Sequence, residues 1–155
     1  MKKLLLLPVI LLFNLACAQS DTIPAVDSAM VKKTGISGFI PYHDSLMTFS
    51  EYGVASWYGQ NWKGRLTSSG QLFSPDSLTG AHKRLPFGTV VKVTNVSNDS
   101  VVFVKITDRL PKSSSRSIDV TPGVAKKLNF YSKGLTKVKI EVVGYAPIYK
   151  RKRPG

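Results

Sequence analysis

Thr89-Val-Val-Lys-Val-Thr94, Ser97-Asn-Asp-Ser100 and Val101-Val-Phe-Val-Lys-Ile106 read as two strands and the turn that joins them. In the first, Thr89, Val91 and Val93 can face one way while Lys92 and Thr94 face the other, and the second alternates similarly, the period of a half-buried strand. Ser97 to Ser100 supply the hairpin turn. Farther out, Lys137-Val-Lys-Ile-Glu-Val142 alternates most cleanly, with Val138, Ile140 and Val142 on its apolar face. One short helix is predicted over Pro122 to Leu128, because Thr121 can cap it and Pro122 suits its first position. Many short strands with a single helix predict a mainly β fold, a small closed barrel. Alternation alone does not specify the topology of that barrel.

The N-terminus has a different character. Met1-Lys-Lys3 precedes an apolar run from Leu4 to Leu15, broken only by Pro8 and Asn14, and small residues follow at Ala16-Cys17-Ala18. Residues 1–18 therefore read as a secretory signal. The run is shorter than the about 20 apolar residues that a membrane-spanning helix needs. Cys17 is the only cysteine, so no intrachain disulfide is available. Its place directly after the apolar run allows lipidation and a membrane anchor, while Ala16 and Ala18 equally fit simple cleavage after Ala18. Residues 19–50 mix polar and isolated apolar residues without period and are expected to be a linker. The folded unit is expected over 51–145, with 146–155 as a basic tail.

Without Lys2 and Lys3, twenty basic residues face nine acidic ones, a net charge of +11. That balance selects polyanionic partners. In an exported chain these are wall polymers and lipid head groups, so no nucleic-acid partner is expected. No metal or other cofactor is expected either, since His43 and His82 have no partners at zinc-like spacing. Nucleophilic catalysis lacks a Gly-x-Ser-x-Gly elbow.

The remaining chemistry falls on a few acids: Glu51, Asp76, Asp99, Asp108, Asp119 and Glu141. Asp99 belongs to the hairpin turn, Glu141 to the outer face of a strand, and Asp76 to the turn Ser74-Pro-Asp76. Asp108 ends a strand beside Arg109, whose guanidinium can orient it. Asp119 lies before the helix, where a carboxylate can carry chemistry or cap helix amides. Trp57, Tyr58 and Trp62 form an aromatic cluster, with core the expected place for Trp57 and a sugar-stacking role open to Trp62 or Tyr58.

Six blocks surround these acids: Ala55-Ser-Trp-Tyr-Gly59, Gly64-Arg-Leu-Thr-Ser-Ser-Gly70, Leu78-Thr-Gly-Ala-His82, Leu85-Pro-Phe-Gly-Thr89, Thr107-Asp-Arg109 and Ser117-Ile-Asp119. Together they resemble the rare lipoprotein A family of bacterial cell-wall proteins over about residues 52 to 144. The resemblance implies a six-stranded double-psi β-barrel. It further implies a peptidoglycan lytic transglycosylase, which cuts the bond between N-acetylmuramic acid and N-acetylglucosamine and leaves 1,6-anhydro ends on bare glycan strands. Many members also carry a C-terminal glycan-binding repeat domain, which this chain does not show.

The resemblance brings a departure with it. The family has Glu at the end of a block like Thr67-Ser-Ser-Gly-Gln71, histidine eleven residues on and aspartate 26 residues beyond that. Both intervals are kept here, from 71 to 82 and from 82 to 108, but the first position is Gln71. An amide can neither protonate a leaving oxygen nor accept a proton from the C6 hydroxyl. Double-psi barrels of similar fold, the expansins among them, use one aspartate in a block like Ile118-Asp119. The resemblance therefore implies Asp119 as acid/base, Asp108 as its partner and His82 as a sugar or transition-state contact. Gln71, Trp62, Tyr58, Arg65, Thr67 and Arg109 are the expected substrate contacts. A competing reading is a peptidoglycan-binding or wall-loosening module without cleavage, for which Gln71 speaks. A third is a basic structural tether built on Cys17 and the cationic tail.

Overall fold

The computed structural model describes residues 36–41 and 49–150. The signal with Cys17 and His43 lie outside the described residues, as do most of the expected linker and residues 151–155 of the tail. The strands are β1 (Ile40–Pro41), β2 (Ser50–Trp57), β3 (Thr79–His82), β4 (Thr89–Asn95), β5 (Val101–Arg109), β6 (Ile118–Val120) and β7 (Thr136–Tyr145). A 3-10 turn at Gln60–Trp62 follows β2, and α1 (Pro122–Lys127) follows β6. No helix among the described residues is long and apolar enough to cross a membrane.

Six strands close on themselves in the order β7-β2-β6-β3-β5-β4 and back to β7. Closure removes the open edges that a small sheet would otherwise expose. Two neighbours in this ring, β2 with β6 and β3 with β5, run parallel, whereas the other pairs are antiparallel. Parallel neighbours cannot be joined by a tight hairpin. Their chain connections cross the barrel, which brings residues distant in sequence side by side.

The alternation seen in sequence fills the barrel. Val91, Val93, Val102, Val104, Ile106, Ile118, Val120, Val138 and Ile140 form its core, closed at one end by Val124, Ala125, Leu128 and Phe130 from α1 and the turn after it. Thr121 does precede α1, but its side chain makes no cap hydrogen bond. The hydroxyl donates instead to the Ser77 carbonyl, tying the helix start to the loop before β3.

A second apolar cluster lies apart from this core and includes a residue from before the barrel. Ile36 packs with Val90, Phe103, Val143 and Ala146, and β1 pairs with the end of β7. Residues 36–41 are thus built onto the barrel. Val90 is buried for the same reason, on the face of β4 opposite Val91 and Val93.

Candidate active site

The loop between β2 and β3 folds back on itself as a ridge. Phe73 N donates to the Arg65 carbonyl at 2.8 Å, Thr67 N to the Gln71 carbonyl at 2.8 Å and Gly70 N to the Thr67 carbonyl at 2.9 Å. Gly70 closes the tip with a φ of +83°, a region that a side chain would strain. Ser69 N donates to the Thr107 carbonyl at 3.0 Å, seating the ridge on the end of β5. There β5 carries one extra residue, since Gly80 pairs with Ile106 and Ala81 with Asp108. Such a bulge re-aims the side chains around it. Asp108 lines the groove on one side of the ridge, and Thr107 lines a second cavity on the other.

The groove encloses about 660 Å³ between the ends of β2, β5 and β6, the ridge and residues 110–116. Asp108 is held by four donors from three residues. Its Oδ1 accepts from Ser68 N at 2.9 Å, from Arg109 N at 2.8 Å and from the Ser68 hydroxyl, while Tyr58 donates to Oδ2 at 3.3 Å. Asp119, 8% exposed, lies beside Ser56 in the parallel register of β2 and β6. The Ser56 hydroxyl donates to Oδ1, and Arg116 Nη2 donates to Oδ2 at 3.0 Å with Nε 2.9 Å from Oδ1. The loop that carries Arg116 reaches this position because Gly53 leaves room for Ser117, whose Oγ would lie 2.0 Å from a β-carbon there.

Tyr58 stands between the two acids. Burial, then the charges of Asp108 and Asp119, push its phenol well above the usual 10.0. It is therefore a protonated donor at neutral pH, not a base.

Other expected site residues are dispersed. Thr67 lines the groove with its hydroxyl donating to the Gln71 carbonyl at 3.0 Å. Trp62 is 42% exposed at the groove, with the Arg65 guanidinium 5.1 Å from its ring centroid. Arg109 reaches the groove wall, yet its Nη1 donates to the carbonyls of His82 and Leu85 at 3.0 and 2.6 Å and the guanidinium covers Phe87. Trp57, expected in the core, stacks on Tyr131 at 4.4 Å and also forms part of the groove wall.

His82 and Gln71 do not join the two aspartates. His82 is 1% exposed. Its Nδ1 accepts from Arg84 N and Leu85 N at 3.2 and 3.1 Å, so Nε2 carries the proton and donates to Glu51 Oε1 at 3.1 Å. Both nitrogens are engaged by partners within the fold. Burial also holds the imidazole below its usual 6.5, against the opposing pull of Glu51. Gln71 lies across the ridge from Asp108, donating to the Tyr149 carbonyl at 3.4 Å.

Three groups escaped the sequence reading: Arg116, Ser56 and Ser68. Ser56 and Ser68 stood inside quoted blocks without an assigned role. For Arg116 the available signal was a cation three residues before Asp119. No group of three metal-ligating side chains occurs among the described residues.

A family model described as "Lytic transglycolase" matches residues 50–140. The endolytic peptidoglycan transglycosylase RlpA of Campylobacter jejuni is 41% identical over 93 residues, 60% of this chain and 34% of that protein. The probable endolytic peptidoglycan transglycosylase RlpA of Synechocystis is 45% identical over 91 residues, 59% of this chain and 28% of that protein. The match thus spans about a third of the length of these curated relatives. Among solved structures, the Streptomyces papain inhibitor superposes with a TM-score of 0.50 at 19% identity, over 63% of this chain and 97% of that one, a likeness of fold alone. A match over more than half of the chain, spanning the ridge and groove, shows that the chain belongs to the lytic transglycolase family, the double-psi β-barrel family of the RlpA proteins.

Proposed function

We propose that the protein is an exported cell-envelope lytic transglycosylase that cleaves the bond between N-acetylmuramic acid and N-acetylglucosamine in peptidoglycan glycan strands. The observation that carries this reading is the pair of groove carboxylates, Asp108 and Asp119, on a barrel of the lytic transglycolase family. Family membership supports the wall polymer as substrate and the envelope as location. The finer preference for bare strands and a lipid anchor at Cys17 are parts of the same proposal.

Bond cleavage needs an acid for the leaving oxygen and stabilisation of oxocarbenium character on the muramic ring. Asp119 takes the acid role and then, as carboxylate, receives the proton of the muramic C6 hydroxyl as that oxygen closes the 1,6-anhydro ring. One carboxyl therefore returns to its starting state without a water nucleophile. Asp108, fixed by Ser68, Arg109 N and Tyr58, supplies the negative charge that faces the developing cation. Arg116 and Ser56 are positioning residues that orient Asp119. Trp62 and Tyr58 offer aromatic surface to the sugar rings. Gln71 takes no acid role, which agrees with its place across the ridge.

A second reading, glycan binding without cleavage, is favoured by the donors that already engage both Asp119 oxygens. The test is incubation of the mature protein with intact peptidoglycan and with peptide-free strands, followed by mass spectrometry for 1,6-anhydro ends. Ends that form with the wild-type protein and vanish with Asp119→Asn support the enzyme. Absence of ends with glycan binding retained, and cleavage gained in Gln71→Glu, supports the binding module.

A further inference from the structure

Across the ridge from the carboxylates lies a cavity of about 670 Å³. Its walls are the far side of the ridge at Gln71, the loop leading into β3, the outer face of β5, and the chain after β7 as far as Lys150. Lys105 and Thr107, two residues apart and so on one face of β5, both line it. Lys105 is the group without an explanation in the fold. Its Nζ donates to the Pro147 carbonyl at 3.4 Å, a long contact, and among the described residues no carboxylate lies within 4.0 Å of it. Burial alone holds its ammonium below the usual 10.5. Removing a cation from water without a counter-charge is unfavourable, and an anion that reaches it gains more than it would at the open surface.

The rest of the cavity fits an anion that enters from one direction. Lys150 adds a second cation, with its stem alongside Gly70 at the ridge tip. Ser77 and Thr79 present hydroxyls 2.8 Å apart. Asp76 is the one acid in the lining; it is exposed, and it disfavours approach from its own side.

We propose that this cavity is a carboxylate-binding subsite in which Lys105, with Lys150 beside it, receives an anionic group of the wall polymer. The identity of the polymer rests on the preceding reading. Two of its groups have this chemistry. The lactyl substituent of muramic acid is a free carboxylate on a bare strand and a neutral amide where a stem peptide is attached. The stem peptide itself ends in a carboxylate. A Lys105 subsite filled by the first would let the protein distinguish bare from peptide-bearing strands at a point removed from the bond being cut.

The test is calorimetric titration of the mature Asp119→Asn protein, chosen so that turnover does not consume the probes. The probes are a GlcNAc-MurNAc tetrasaccharide with free lactyl carboxylates, its lactyl methylamide and a free stem tetrapeptide. The acid sugar is expected to bind about tenfold more tightly than the methylamide, the effect of one charge-assisted contact. Lys105→Met should erase the difference and Lys105→Arg keep most of it. Tetrapeptide binding with the same dependence on Lys105, and no preference between the two sugars, would assign the subsite to the stem peptide. No dependence on Lys105 for any carboxylate probe overturns the proposal. If Lys105→Met does not fold, the wild-type protein still decides: NMR titration of the Lys105 ammonium should move to higher pH with the acid sugar bound, and an unmoved titration overturns the subsite. Lys105-dependent binding, together with no 1,6-anhydro ends from the protein with Asp119 intact, would refute the catalytic reading and leave the subsite standing.

Discussion

The two sides of the 64–73 ridge are built from the same strand and have opposite electrostatics. On one side, Asp108 and Asp119 are surrounded by donors that fix each oxygen. On the other, Lys105 reaches only a distant carbonyl. The first arrangement suits groups that must hold a geometry while chemistry occurs beside them. The second suits a group whose partner arrives with the ligand. The extra residue at Thr107 returns Asp108 to the outer face of β5 that Lys105 shares, and the ridge seated on Thr107 separates the two.

The sharpest way to break this comparison is Asp119→Asn, which should lower the cleavage rate by about 10²–10⁴-fold, the usual share of general acid–base catalysis. Strand binding in the second cavity should survive it, as mass spectrometry and calorimetry on one sample would show. Loss of both together would mean that the ridge does not separate two sites. Ile106→Ala tests the shared foundation. This fully buried residue lies next to the bulge, and its truncation should cost about 2–5 kcal/mol, read by denaturant unfolding. Both cavities should weaken in proportion to the folded fraction, and a selective loss in one would show that they stand on different parts of the core. Lys105→Met should change cleavage of a lactyl-amidated strand little, while removing about tenfold of the preference for the free acid.

A smaller effect is expected at His82, away from both sides. Its folded value lies below its unfolded value, so the unfolded chain binds more protons between the two. Stability should therefore be fully present above about 6.5 and fall as the pH drops from there toward the lowered folded value. His82→Gln should flatten that part of a melting-temperature profile. A profile of unchanged slope would remove His82 from the account of stability.

Much of the barrel was legible because strands record burial in their own neighbours. Val138 and Ile140 alternate with Lys137 and Lys139, and the structure buries the first pair completely. The hairpin at Ser97 to Ser100 was equally local, with Asp99 taking the left-handed conformation at φ +56°. The packing of residues 36–41 was not legible for the complementary reason: Ile36 is isolated in sequence, and its partners Phe103 and Val143 are distant along the chain.

The site divides in the same way. The sequence by itself determined the strand pattern, the scarcity of carboxylates and the short set of residues from which any chemistry must be drawn. Only the tertiary structure decided which of them meet. Ser56 and Asp119, 63 positions apart, become neighbours through a parallel register that exists only in the closed barrel. Arg116 joins them through a loop seated on Gly53. His82, kept at the family's spacing, is turned inward by two backbone donors and Glu51. Local periodicity is written in contacts three or four residues long, whereas the register between distant strands is settled by closing the whole ring at once.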